Sequence, residues 1–213
     1  SDVITIESAQ GKVNADPNDP DVKRAIDGTL IGVTTSYFNA SEVKTDGLDL
    51  EVSYEFDTKY GQASVGLNRV HILSYEIPQN GETTDVVGLF NHDNFARSLP
   101  ETKSVISGVL TNGDHTLSTF IRMVSDYETT RPLVSTAKAL GYSQKIDDFV
   151  TVDFNYTYDT NWNNYDLKLS AGLKNAFDEE PPLVWDGVNF SYDPKHHDAR
   201  GRMVYVGFKL ATN

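Results

Sequence analysis

Two stretches of this sequence gather side chains able to do chemistry, and both fall between patterned segments. In the first, Phe90, His92, Asp93, Asn94, Phe95 and Arg97 crowd into residues 90–97. Rings beside carboxylates and amides stack on sugars or bury organic ligands, and a guanidinium fork suits an anion. The second stretch repeats the mixture with Trp185, Asp186, Asn189, Phe190 and Tyr192. The same rings have a plainer use, which is to pack against neighbouring loops. Directly after them, Asp193, His196 and His197 offer carboxylate and imidazole, donors that suit Zn or Fe. Adjacent histidines without a third spaced ligand make a poor metal site, so a solvated or loop-packing role is the alternative. No metal and no cofactor are expected. Arg200 and Arg202 are expected to pair with nearby carboxylates.

Catalytic signatures are missing. The sequence contains no GxxxxGK[ST] or GxGxxG phosphate loop, no HExxH and no GxSxG elbow. It has no cysteine, which removes disulfides, thiolate metal sites and thiol nucleophiles. Activity would have to come from scattered residues, so the chain is not expected to be an enzyme. Eighteen Lys and Arg against 31 Asp and Glu leave a net charge of -13 over 213 residues. Nucleic-acid binding through phosphate neutralisation needs the opposite balance, so no nucleic-acid partner is expected. No run of 18 apolar residues exists, hence no transmembrane helix. A membrane-crossing strand needs only alternate apolar residues, and the mean hydropathy of -0.41 is compatible with that.

The elements that position these loops follow a period of two. Leu48, Leu50, Val52, Tyr54 and Phe56 share one face, with Asp49, Glu51, Ser53 and Glu55 on the other. Val150, Val152, Phe154, Tyr156 and Tyr158 repeat the pattern, as do Leu117, Thr119, Ile121 and Met123 against Arg122. So do Leu167, Leu169, Ala171 and Leu173, and finally Val204, Val206, Phe208 and Leu210. Segment 61–77 slips by one position near Arg69, as a bulge would cause. Segment 98–110 is apolar on both faces, which leaves its sides unassigned. Residues 45–57, 61–77, 98–110, 115–127, 147–159, 165–177 and 201–212 thus predict about seven strands, each near or above the ~9–11 residues that cross a bilayer at a tilt.

Connections alternate in size. Short ones fall at 57–61, 111–114 and 159–166, and long ones at 78–97, 128–145 and 179–200. An up-and-down meander with one rim trimmed and the other elaborated has this rhythm, and membrane barrels have it, with short periplasmic turns and long extracellular loops. Tyr54, Phe56, Tyr156, Tyr158 and Phe177 sit at strand ends, where rings would line the membrane interfaces. The polar faces, with Asp49, Glu51, Glu55 and Arg122, are then expected to face the lumen. Residues 1–44 read mostly as extracellular loop, with a helical turn at 21–26 and a short hairpin around 29–37. No linker is evident. Seven or eight strands leave open edges, which lipid cannot satisfy, so the rest of a larger barrel is expected to pair with them.

The region from Asn175-Ala176-Phe177-Asp178 and Pro181-Pro182, through Tyr192-Asp193-Pro194 and Gly201-Arg202 into the last strand, resembles the C-terminal end of a TonB-dependent outer-membrane receptor. "ADPNDPDV", "NASEVKTDGLDLEVSYEF" and "NFARSLPE" extend the likeness upstream. The resemblance implies an all-β, antiparallel transmembrane barrel of about 22 strands, of which 1–213 would be the C-terminal part, with the plug domain outside this chain. It also implies import of a scarce nutrient (siderophore, vitamin, oligosaccharide or peptide) across the outer membrane of a Gram-negative bacterium. Implied partners are the plug, the TonB complex, outer-membrane lipid and a small-molecule or glycan ligand. Two other readings stay open: a soluble extracellular β-sandwich that binds carbohydrate, for which Asn39, Asn155 and Asn189 match the glycosylation pattern, and a passive porin-type barrel.

Overall fold

The computed structural model describes residues 4–6, 13, 16, 18–35, 37–39, 42–79, 82–92, 94–185 and 191–212. The chain is all-β with antiparallel main pairing, and it divides into two compact units. The first comprises residues 1–45 and 75–85, the second 46–74 and 86–213.

Four short strands begin the chain: β1 (Ile4–Ile6), β2 (Val22–Arg24), β3 (Leu30–Val33) and β4 (Tyr37–Asn39). β1 pairs with β4, and β2 with β3. The expected helical turn at 21–26 is therefore a strand, and the hairpin lies at 22–33 rather than 29–37. The cause is local. Asp27 accepts the Thr29 N–H at 3.0 Å and Gly28 takes φ 85°, so the turn closes over residues 25–29.

The chain then builds β5 (Lys44–Thr58), β6 (Gly61–Gln79) and the short β7 (Glu82–Asp85), which pairs with the end of β6. β8 (Leu89–Phe90) and β9 (Ser98–Leu99) lie in the first long loop, before β10 (Thr102–Asn112) and β11 (His115–Val124). The second long loop holds β12 (Tyr127–Thr129), helix α1 (Ser135–Ala139), which the sequence did not announce, and β13 (Lys145–Ile146). β14 (Phe149–Trp162), β15 (Tyr165–Lys174) and β16 (Met203–Thr212) complete the set.

Seven long strands stand side by side in chain order, β5-β6-β10-β11-β14-β15-β16. This is the expected meander. It is an open sheet with β5 and β16 at its edges, and among the described residues no closed barrel forms. The connection expected at 159–166 shrinks to Asn163 and Asn164, because β14 keeps pairing to Trp162. Both asparagines adopt left-handed φ, 49° and 71°, as a tight hairpin turn requires. The bulge expected near Arg69 is not present in the β6–β10 ladder, which runs without a shift from Gln62 to His71. The strand expected from 98 starts at Thr102, since Pro100 has no N–H to give a ladder.

Register assigns the faces. Leu67, Ile106, Ile121 and Val152 make one row across the sheet. Val65, Gly108, Thr119, Phe154, Leu173 and Val204 make the next, and Ala63, Leu110, Leu117, Tyr156, Ala171 and Val206 a third. Strand 102–112 thus turns Ile106 and Leu110 to the apolar face, Val105 and Val109 to the other. Polar rows such as Gln62, Thr111, Thr116, Thr157 and Ser170 occupy that second face. Tyr205 lies there too, reaching Asn155 Oδ1 at 3.0 Å across Gly172, where any side chain would collide with its ring. The apolar face is bare: Val206 is 83% exposed, Val204 76% and Phe208 69%.

The long loops are folded. β13-β12-β8-β9 form a small sheet in which β12 and β8 run parallel. Beneath it Tyr127, Ile146 and Val184 make a core, with Phe90 and Val124 packed against them.

Candidate functional site

The end of β15 shows how the loop end is built. After Lys174 the chain turns at Asn175, in left-handed φ 47°, whose side chain accepts the Glu179 N–H at 2.9 Å and donates to the Glu179 carbonyl at 2.8 Å. Its own N–H goes to Asp153 Oδ1 at 2.9 Å. Asp178, also left-handed, accepts the backbone N–H of Arg202 at 2.7 Å. That bond first, and the Arg202 guanidinium after it, hold the Asp178 carboxyl below the ordinary carboxylate range. Gly201 has φ 66°, and a Cβ there would come within 2.9 Å of Asp178 Oδ1. Asn175, Asp178, Gly201 and Arg202 therefore form a clasp that fastens β15 to β16 across the longest loop. Phe177 projects from this clasp, 73% exposed.

Inside the loop layer, Tyr127 Oη donates to Asp193 Oδ2 at 2.7 Å, with both residues buried. The Lys195 N–H reaches Asp193 Oδ1 at 3.0 Å, and the His197 N–H reaches the Asp193 carbonyl at 3.0 Å. Burial works against the Asp193 charge. The Tyr127 hydroxyl, the neighbouring Ser98 hydroxyl and the Lys195 N–H outweigh it and keep the carboxyl below its usual range. The Ser98 hydroxyl acts through its proximity, since it is buried without a hydrogen bond within 3.5 Å among the described residues. Burial, then the adjacent carboxylate, pushes the Tyr127 phenol far above its ordinary value.

His197 packs against Tyr127 and Phe149, with ring centroids 6.0 and 5.0 Å away, and neither ring nitrogen has a hydrogen-bond partner among the described residues. Burial lowers its pKa despite the attraction of Asp193, so the ring is neutral near pH 7. His196 Nε2 lies 3.1 Å from the Ser98 carbonyl, which can only accept, so this nitrogen carries the proton. Burial lowers the His196 pKa as well. Asp193, His196 and His197 thus serve loop packing, and among the described residues no three His, Asp or Glu side chains are grouped to hold a metal.

A cavity of about 320 Å³ opens below this layer, on the polar face near the tops of β11, β14, β15 and β16. Arg122, Lys174, Arg200, Asp153 and Asp198 supply its charges, and His196 and Met203 complete part of its wall. Arg122 pairs with Asp153, and Arg200 grips both oxygens of Asp198 at 2.9 and 2.6 Å.

The expected ligand residues fall in two places. Phe90 is half-buried against the Tyr127 core, and His92 lies on its ring at 4.4 Å while sharing a hydrogen bond with Thr129 at 2.8 Å. Arg97 directs its guanidinium to the His92 carbonyl at 3.1 Å, and Phe95 is exposed. Trp185 packs on Tyr142 in a tilted pair with centroids 4.8 Å apart, and Tyr192 is half-buried. Asp93, Asp186, Asn189 and Phe190 lie outside the described residues. Asp49, Glu51 and Glu55 are exposed along β5. Among the described residues of the expected ligand and lumen sets, Arg122 reaches the cavity, as does His196 from the histidine pair; Lys174, Asp198 and Arg200 join them near the clasp, which brings together residues remote in sequence.

No protein-family model matches this sequence, and no curated protein matches it.

Proposed function

We propose that residues 1–213 form the C-terminal wall and late extracellular loops of an outer-membrane, TonB-dependent receptor that imports a scarce nutrient. One observation carries the reading: six adjacent strands turn mainly apolar rows, interrupted at Gly108 and Thr119, to the same side, and among the described residues nothing covers them. A face of that size in water would be an association or aggregation site. Against acyl chains it is matched to its surroundings, and the strands are long enough to cross the hydrocarbon at a tilt.

Three further features support it. Tight two-residue turns mark one rim and folded loops the other. His115 and Tyr156, joined at 2.6 Å, lie with Tyr158 on the apolar face at the tight-turn rim, as an interfacial aromatic band would. The free edges at β5 and β16 would take strands from the remainder of the barrel, because hydrocarbon cannot satisfy them. Transport energy would come from the TonB complex acting on a plug that this segment surrounds.

The reading frame around these residues tests the class. It should encode a plug domain, at about 100–150 residues a typical domain size, with further strands between it and Ser1. A frame encoding a signal peptide followed only by soluble modules would refute the proposal. So would a monodisperse, folded monomer obtained from these residues without detergent.

A further inference from the structure

We propose that the cavity on the polar face is a binding site for a small oxyanion, the carboxylate or phosphate group of a soluble ligand. The proposal rests on the reading above in one respect, that this face meets water while the opposite one meets lipid. Its volume of about 320 Å³ stands near the lower end of the ~300–1,000 Å³ usual for small-molecule sites.

The charge argument begins with composition. The chain as a whole has 31 acids to 18 bases, yet the cavity wall carries three cations, Arg122, Lys174 and Arg200, against two carboxylates, Asp153 and Asp198. Both carboxylates are already engaged. Asp153 gives Oδ2 to Arg122 and Oδ1 to the Asn175 N–H, and Asp198 gives both oxygens to Arg200. Donors remain. A guanidinium has five N–H groups; Arg122 uses Nη1 on Asp153, and Arg200 uses Nε and Nη2 on Asp198. Lys174 forms no ion pair within 4 Å among the described residues, which leaves its three N–H groups for a ligand.

The backbone that carries the cations is fastened by hydrogen bonds. Lys174 is the last residue of β15, and the Asn175 clasp begins at the next position. Arg122 lies in mid-sheet on β11, diagonal to Asp153 across the β11–β14 ladder. Arg200 lies two residues before Arg202, whose N–H on Asp178 Oδ1 fixes the start of β16. Three cations from three separate segments are thereby held around one space, and pre-paired guanidiniums lose little freedom when they add an anion.

Calorimetric titration of the full-length protein in detergent, its fold first checked by near-UV circular dichroism, tests this with succinate, inorganic phosphate and glucose. Succinate or phosphate should bind saturably and glucose should not, with affinity falling as salt rises. Whichever of the two binds tells carboxylate from phosphate. Lys174→Gln should weaken binding about tenfold, the effect of one charge-assisted hydrogen bond. Asp198→Asn should tighten it, because it removes a negative charge and frees Arg200; a merely structural role for Asp198 would not raise affinity. No saturable heat from either anion, or an unchanged affinity in Lys174→Gln, overturns the proposal. Loss of binding with lipid contact at Val206 intact would remove the cavity and leave the barrel. Binding in a protein whose Val206 never meets lipid would do the reverse.

Discussion

The sheet and the loop layer above it place their apolar residues in opposite ways. In the loop layer Tyr127, Ile146 and Val184 are buried against one another, and the buried polar groups of Tyr127 and Asp193 satisfy each other at 2.7 Å. In the sheet the largest apolar side chains of β16 are bare. The loop layer is therefore a folded body in the ordinary sense, with its hydrophobic drive internal. The sheet is complete in hydrogen bonding between its edges but not in burial. On the function proposed above, lipid supplies what it lacks without a second protein layer.

Four changes would break or sharpen that contrast. The largest effect is expected at the sheet: Val206→Arg should cost about 2–4 kcal/mol in a bilayer if it lies near the midplane. In water the same change at a bare site would cost almost nothing, so equilibrium unfolding from vesicles separates the two cases. Next, Tyr127→Phe should destabilise the loop layer by about 1.5–3 kcal/mol, the range for a hydrogen bond to a charged group. Amide exchange should rise at residues 127–129 and 145–146, with the ladders of β14 and β15 unaffected.

Third, pH should act on the loop layer through His196 and His197. Burial holds the pKa of His196 and His197 below the ordinary ~6.5, so the unfolded loop takes up protons that the folded one refuses. Loop stability should be full above about pH 7 and fall as pH drops below ~6.5, by up to about 1.4 kcal/mol per pH unit for each histidine. The depressed pKa of Asp193 acts in the same direction lower down: its contribution is present above the ordinary carboxylate range and is lost as pH falls through it. Exchange protection of the loop layer at pH 7, 6 and 5 measures this, and His197→Phe should flatten the upper part of the profile. Fourth and smallest, Lys168→Ala should cost about 0.2–1 kcal/mol, because its 3.0 Å pair with Asp159 is exposed on the polar face.

Much of the sheet was legible in the sequence because strand alternation is local. Leu48 to Phe56 and Val150 to Tyr158 show their faces without knowledge of their neighbours. Strand 102–112 did not, since Val105, Ile106, Val109 and Leu110 are apolar on both sides, and only pairing to β6 and β11 separates them. The loop layer was legible in composition but not in arrangement. Phe90, Tyr127, Ile146 and Val184 come from three different loops, and no period marks residues that meet across such separations. Asp193 stood out in its motif as a ligand candidate, whereas its use is to anchor Tyr127, 66 residues away. The cavity was hidden for the same reason. Lys174 reads as one more polar residue of an alternating strand until the clasp brings Asp198 and Arg200 beside it.

The most direct test of the central claim uses the absence of cysteine from residues 1–213, so that a label placed here meets no competing thiol within them; any cysteine elsewhere in the protein is first replaced by serine. Spin labels at Val204→Cys, Tyr205→Cys, Val206→Cys and Gly207→Cys, in the protein assembled in bilayers, can be challenged with oxygen, which partitions into lipid, and a nickel chelate, which stays in water. Positions 204 and 206 should collide mainly with oxygen, and 205 and 207 mainly with nickel. Uniform nickel access along all four, or low access to both reagents at 204 and 206, would contradict the account.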